Sequence, residues 1–126
     1  MKASLVLLAI GIVALGGYLW MTGGGEAESI DSIVAAIGDG APVVDVRTVP
    51  EFRQGHVAGA IHADVLDADF RELVTDLPRD EPVYVYCASG VRSGRAARVL
   101  EAMGFERVVN AGGFQDLADA GASVAR

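Results

Sequence analysis

The sequence predicts an α/β domain: a parallel sheet with helices on both faces. Three observations predict it. Short apolar runs alternate with amphipathic segments, the order that βαβ units require. The runs PVVDV (42–46) and PVYVYC (82–87) read as buried strands. Glycine is frequent, at 16 residues, as tight turns and loop–helix junctions demand. A chain of 126 residues suits one such domain and leaves little room for a second.

Residues 1–25 are set apart from residues 26–126, which form the domain. The stretch ASLVLLAIGIVALGGYLWM (3–21) carries no charge. As a helix it spans about 28 Å, close to the hydrocarbon core of a bilayer. Lys2 precedes it, and Tyr18 and Trp20 stand at its far end, where aromatic rings favour the interface. The segment reads as a transmembrane anchor followed by a glycine tether, with the domain on the periplasmic or extracellular side of the cell membrane. The alternative is a cleaved export signal that releases the domain to the periplasm.

The domain's elements follow in order. Ser29 is the predicted N-cap of a helix with Ile30, Ile33, Val34 and Ile37 on one face and Gly38 as its stop. PVVDV is the first strand. TVPEFRQGH is a helical turn with Pro50 near its start and Gly55 at its end. GAIHAD (59–64) is a second strand. DADFRELVTDL (67–77) places Phe70, Leu73, Val74 and Leu77 on one helical face. PVYVYC is the clearest strand, RSGRAARVLEAM (92–103) a helix stopped by Gly104, ERVVNA (106–111) a strand, and GGFQDLADAG (112–121) the last helix.

Net charge is −7, and without Lys2 nine arginines face 17 acidic residues. That balance argues against a nucleic-acid partner, which needs a basic surface. Cys87 is the sole cysteine, which excludes an intramolecular disulfide, a CxxC redox pair and a cysteine-rich zinc site.

Ligands of a parallel sheet bind beyond the carboxyl ends of its strands. Cys87 sits at one such end, and Asp45 with Arg47 at another, so these three and Arg92 are expected at one edge. Four residues, Ala88, Ser89, Gly90 and Val91, separate Cys87 from Arg92. Their small side chains let the backbone curl, so that successive N–H groups form a cradle for an anion. The helix beyond adds its N-terminal dipole. Both favour thiolate over thiol, making Cys87 a nucleophile. Arg92, Arg95 and Arg98 oppose that dipole. Arg98 is expected to pair with Glu101 on the helix surface, while Arg92 suits an oxyanion. Glu51 is expected to pair with an arginine on its own helix. His56 reads as a structural hydrogen-bonding residue and His62 as a strand-end surface residue. Ser89 serves either as a donor to sulfur or as a helix cap.

CASGVRS resembles the active-site loop of the rhodanese family, single-domain type. VVDVRTVPEFRQGHVAGAIHAD resembles that family's Asp-Val-Arg and Gly-His-x-x-Gly-Ala segments, and GFERVVNAGGFQDLADAG its closing strand, double glycine and helix. The resemblance runs from about residue 28 to the C-terminus. Leu117 departs from it where Trp is frequent, and Ala88 where many members carry a basic residue. The resemblance implies a thiosulfate sulfurtransferase. Cys87 would take the outer sulfur of a small anionic donor as a persulfide and pass it to cyanide, a thiol or a protein acceptor, with no metal or organic cofactor. It casts Cys87 and Arg92 as catalytic, residues 88–91 as the cradle for the transferred sulfur, and Asp45 and Arg47 as supports. The rival readings are a sulfur carrier without turnover, a protein-docking module, and a Cys-dependent phosphatase or arsenate reductase. The last class puts five residues between Cys and Arg, giving a wider cradle.

Overall fold

The computed structural model describes residues 28–126. The predicted anchor or signal, residues 1–25, lies outside them; among the described residues no helix is long and apolar enough to cross a membrane.

The chain opens with α1 (Ile30–Gly38), capped by Ser29, whose Oγ accepts from the Ser32 N–H at 3.2 Å. Gly38 is its last residue, and the chain reverses two residues later at Gly40, where φ is 100°. Strand β1 (Val43–Asp45) leads to α2 (Val49–Gln54), then to β2 (His56–Val57) and β3 (Ile61–His62). Helix α3 (Phe70–Val74) precedes β4 (Val83–Cys87), α4 (Val91–Ala102), β5 (Val108–Gly113), α5 (Phe114–Asp119) and β6 (Val124–Ala125).

Four strands form a parallel sheet in the order β3-β1-β4-β5. The chain leaves β1 for one edge, crosses back to β4, and continues to the other edge at β5. Strand order therefore reverses between β1 and β4, the position at which open α/β sheets bind ligands. Side chains alternate across the sheet. Val44, Val46, Val83, Val85 and Cys87 meet Phe70, Val74, Ala96 and Leu100 from α3 and α4. On the opposite face Val43, Tyr84 and Tyr86 meet Ile33 and Leu117 from α1 and α5. Helices thus cover both faces, as expected.

Several boundaries differ from expectation. The strand at 59–64 contracts to β3, which pairs Ile61 with Val44 and His62 with Asp45. The helix expected at 67–77 contracts to α3, and Leu73 is 47% exposed rather than on the packed face with Phe70 and Val74. The double glycine ends β5 rather than starting the last helix. Strands β2 and β6 form an antiparallel ribbon apart from the main sheet, pairing His56 with Ala125 and Val57 with Val124.

Candidate active site

Strand β4 is buried along its whole length and delivers Cys87 to the switch point. The residue has no solvent exposure. Directly after it the chain turns through Gly90, whose φ of 95° favours glycine. This turn starts α4 at Val91, one residue earlier than the expected start at Arg92. The Gly90 N–H donates to Cys87 Sγ at 2.9 Å, and Ser93 Oγ lies 3.4 Å from the same sulfur. Burial pushes the thiol up. The Ser93 hydroxyl and the N–H groups of Ser93, Ser89 and Gly90 outweigh it and bring Cys87 down to about 7.

The loop is held against β5. A side chain at Gly113 would put its Cβ 2.5 Å from the Ala88 carbonyl oxygen, so only glycine admits this approach. Register between β4 and β5 shifts here. Val85 lies opposite Asn110 and Tyr86 opposite Gly112, leaving Ala111 as the extra residue of a bulge. From the bulge, Asn110 Nδ2 donates to the Gly90 carbonyl at 2.9 Å, while Oδ1 accepts from Ser93 Oγ at 2.7 Å and from the Gly112 N–H at 3.0 Å.

Arg92 meets Glu51 with both terminal nitrogens, Nη1 to Oε1 at 2.8 Å and Nη2 to Oε2 at 3.0 Å. Glu51 therefore pairs across elements, and not within its own helix. It is also the third residue of α2, where it completes a capping box with Thr48. The Arg92 hydrogen bonds hold its carboxyl down at about 2, against the smaller opposing effect of burial. Arg98 and Glu101 form no ion pair among the described residues.

Asp45 and Arg47 form a buried fork. Arg47 Nε and Nη2 reach the carboxylate at distances from 2.7 to 3.1 Å, and Nη2 also reaches the Gly55 carbonyl at 2.6 Å. Tyr86 hydroxyl donates to Asp45 Oδ2 at 2.7 Å and accepts from the Val57 N–H at 2.9 Å. Burial pushes that hydroxyl up, so it stays a donor. The Arg47 guanidinium stacks over the Phe114 ring at 4.6 Å. The pair locks the ends of β1 and β4, next to Cys87 in the sheet, without touching the sulfur. His56 Nδ1–H donates to the Phe52 carbonyl at 3.0 Å, a structural bond as expected. His62 is half-buried rather than a surface residue, and its Nε2–H donates to the Arg47 carbonyl at 2.7 Å.

The structure thus brings Cys87, Gly90, Arg92, Asp45 and Arg47 to the carboxyl ends of the central strands β1 and β4. Ser89 is neither a side-chain cap nor a hydroxyl donor to sulfur; its N–H alone faces the thiol. Ala88 and Val91 make no hydrogen bond to Sγ among the described residues, and the Val91 side chain is 77% exposed. Sequence reasoning missed Ser93 and Asn110. Ser93 lies six residues after Cys87, on the first turn of α4, and that spacing was the available signal.

The family model for the Rhodanese-like domain matches residues 29–120. Thiosulfate sulfurtransferase PspE of Escherichia coli is 40% identical over 76 residues, 60% of this chain and 72% of that protein. Thiosulfate sulfurtransferase GlpE of Pseudomonas fluorescens is 38% identical over 77 residues, 60% of this chain and 69% of that protein. Among solved structures, a rhodanese with anions from E. coli superposes with a TM-score of 0.59 at 31% identity, covering 68% of this chain and 98% of that one. A rhodanese-related protein from Thermoplasma volcanium gives 0.64 at 28% identity, with coverage of 79% and 97%.

Proposed function

The chain belongs to the rhodanese-like domain family, and from that premise we propose that it is a thiosulfate sulfurtransferase working through a Cys87 persulfide. One observation carries the reading: a buried sulfur at a strand end, facing a backbone N–H and the Ser93 hydroxyl, with its thiol lowered to about 7. The thiolate attacks the outer sulfur of the donor. A sulfur–sulfur bond forms to Cys87, the donor's own sulfur–sulfur bond breaks, and sulfite leaves with the electron pair. Ser93 and the Gly90 N–H stabilise the charge that then sits on the persulfide. A nucleophile such as cyanide attacks the terminal sulfur, leaves as thiocyanate, and restores the thiolate. No histidine is needed, because about half of the thiol is already ionised at neutral pH. A phosphatase reading fits less well, since the cradle from Cys87 to Arg92 has four intervening residues.

Intact-mass analysis after incubation with thiosulfate tests this. The expected adduct is about 32 Da, one sulfur atom on the covalent intermediate. Steady-state thiocyanate production is expected with it. Stoichiometric adduct without turnover indicates a carrier, and faster hydrolysis of p-nitrophenyl phosphate than thiosulfate turnover overturns the proposal. The same spectrum reads the processing of residues 1–25, which we take as the anchor that places the domain outside the cell membrane.

Arg92 meets the donor's oxyanion in this reading, and Glu51 already occupies it. Donor and Glu51 then compete. Glu51→Gln is expected to lower the KM for thiosulfate several-fold with kcat little changed. An unchanged or raised KM would mean that Arg92 only shapes the loop.

A further inference from the structure

The bulge in β5 places Asn110 where it bonds the Gly90 carbonyl of the loop, the Ser93 hydroxyl of α4 and the Gly112 N–H of its own strand. The first two belong to the residues that face the sulfur. The peptide that precedes Gly90 brings its N–H to Sγ, and the peptide that follows carries the carbonyl tied to Asn110 Nδ2. Gly94 lies beside the amide, where a Cβ would sit 3.4 Å from Nδ2.

The hydrogen count adds a constraint. A serine hydroxyl has one proton. Ser93 Oγ faces two acceptors, Asn110 Oδ1 at 2.7 Å and Cys87 Sγ at 3.4 Å. The amide cannot be turned over to relieve this, because Nδ2 is needed by the Gly90 carbonyl and Oδ1 by the Gly112 N–H. With a neutral thiol the proton points to Asn110, the nearer acceptor. With charge on sulfur the hydroxyl turns toward Cys87, since a hydrogen bond to an ion is the stronger one. The Ser93 proton serves one acceptor at a time, so with charge on sulfur Asn110 keeps its hold on the loop through Nδ2 and the Gly90 carbonyl alone.

We propose that Asn110 is a positioning residue for the anionic sulfur of Cys87, acting through the Gly90 peptide. The proposal rests on the sulfur-transfer reading only for its biological use. Placement of the sulfur can be read without any donor.

The test is the pH profile of Cys87 alkylation by iodoacetamide, followed by mass spectrometry in the native chain. Asn110→Ala is expected to move the midpoint upward by about one pH unit, roughly a fivefold loss of thiolate at pH 7. Asn110→Asp keeps the side chain's shape, so it guards against simple unfolding. It faces the Gly90 carbonyl with an oxygen and brings negative charge near the sulfur, and its midpoint is expected to rise further. Ser93→Ala is expected to rise as well, and Asn110→Ala added to it to raise the midpoint further, because Asn110 acts through the Gly90 peptide and not through the Ser93 proton. Folded Asn110 variants with the wild-type midpoint and rate would overturn the proposal. Because alkylation uses no thiosulfate, failure of the 32 Da adduct (the sulfur mass of the covalent intermediate) in the wild-type chain would strike the sulfur-transfer reading and leave this one standing.

Discussion

Cys87→Ser is expected to abolish the sulfur adduct and to lower turnover on the order of a thousandfold or more, as loss of a covalent nucleophile does. An alcohol in this cradle stays protonated at neutral pH, where the thiol, lowered to about 7, is half ionised. The fold should survive. Serine is close in shape, and the Gly90 N–H and Ser93 hydroxyl that face the sulfur can bond its oxygen. Intact mass and a melting curve together check this; turnover retained by a folded Cys87→Ser protein would sink the mechanism. The pH dependence follows with a definite sign. A lowered value means that thiolate persists down to about 7, where an ordinary thiol is already protonated. Alkylation of the wild-type protein should therefore be flat above that pH and fall about tenfold per unit below it.

Asp45→Ala is expected to cost about 3–5 kcal/mol of stability, because it leaves the Arg47 guanidinium buried and without its carboxylate. For a domain of this size that means a fall in Tm of roughly 12 °C or more. Tyr86 loses its acceptor too, and with it the orientation that receives the Val57 N–H. The double variant Asp45→Ala with Arg47→Met should recover part of the loss, since removing both charges also removes the unpaired one. Thermal melts decide it. A loss under about 1 kcal/mol, the range of exposed pairs, would show that the buried fork is not what joins β1 to β4.

The parts of this fold that repeat locally were legible. β4 announces itself by an unbroken apolar run, α1 by its spacing and its serine cap, and the Cys87 loop by small residues followed by arginines. What escaped is what depends on distance. Glu51 and Arg92 are 41 residues apart, and nothing in either neighbourhood points to the other. Strands β2 and β6 have two residues each, too few to show alternation. Ser93 reads as a polar residue on a helix, and only the tight turn at Gly90 brings its hydroxyl to the sulfur. Asn110 requires the bulge at Ala111, and a bulge leaves no periodic mark. Leu73 misled because its spacing put it on the packed face, while in α3 only Phe70 and Val74 are buried.

The seat of the lone thiol at the end of a central strand also governs whether two molecules can become linked. A disulfide between copies needs their Cα atoms within about 7 Å. Cys87 lies at the end of a central strand, with Ala88 pressed against Gly113 on one side and the Asp45–Arg47 fork on the other, so no second backbone can come that near while the domain stays folded. Oxidants should leave this protein monomeric on a non-reducing gel, and a covalent dimer would report unfolding first.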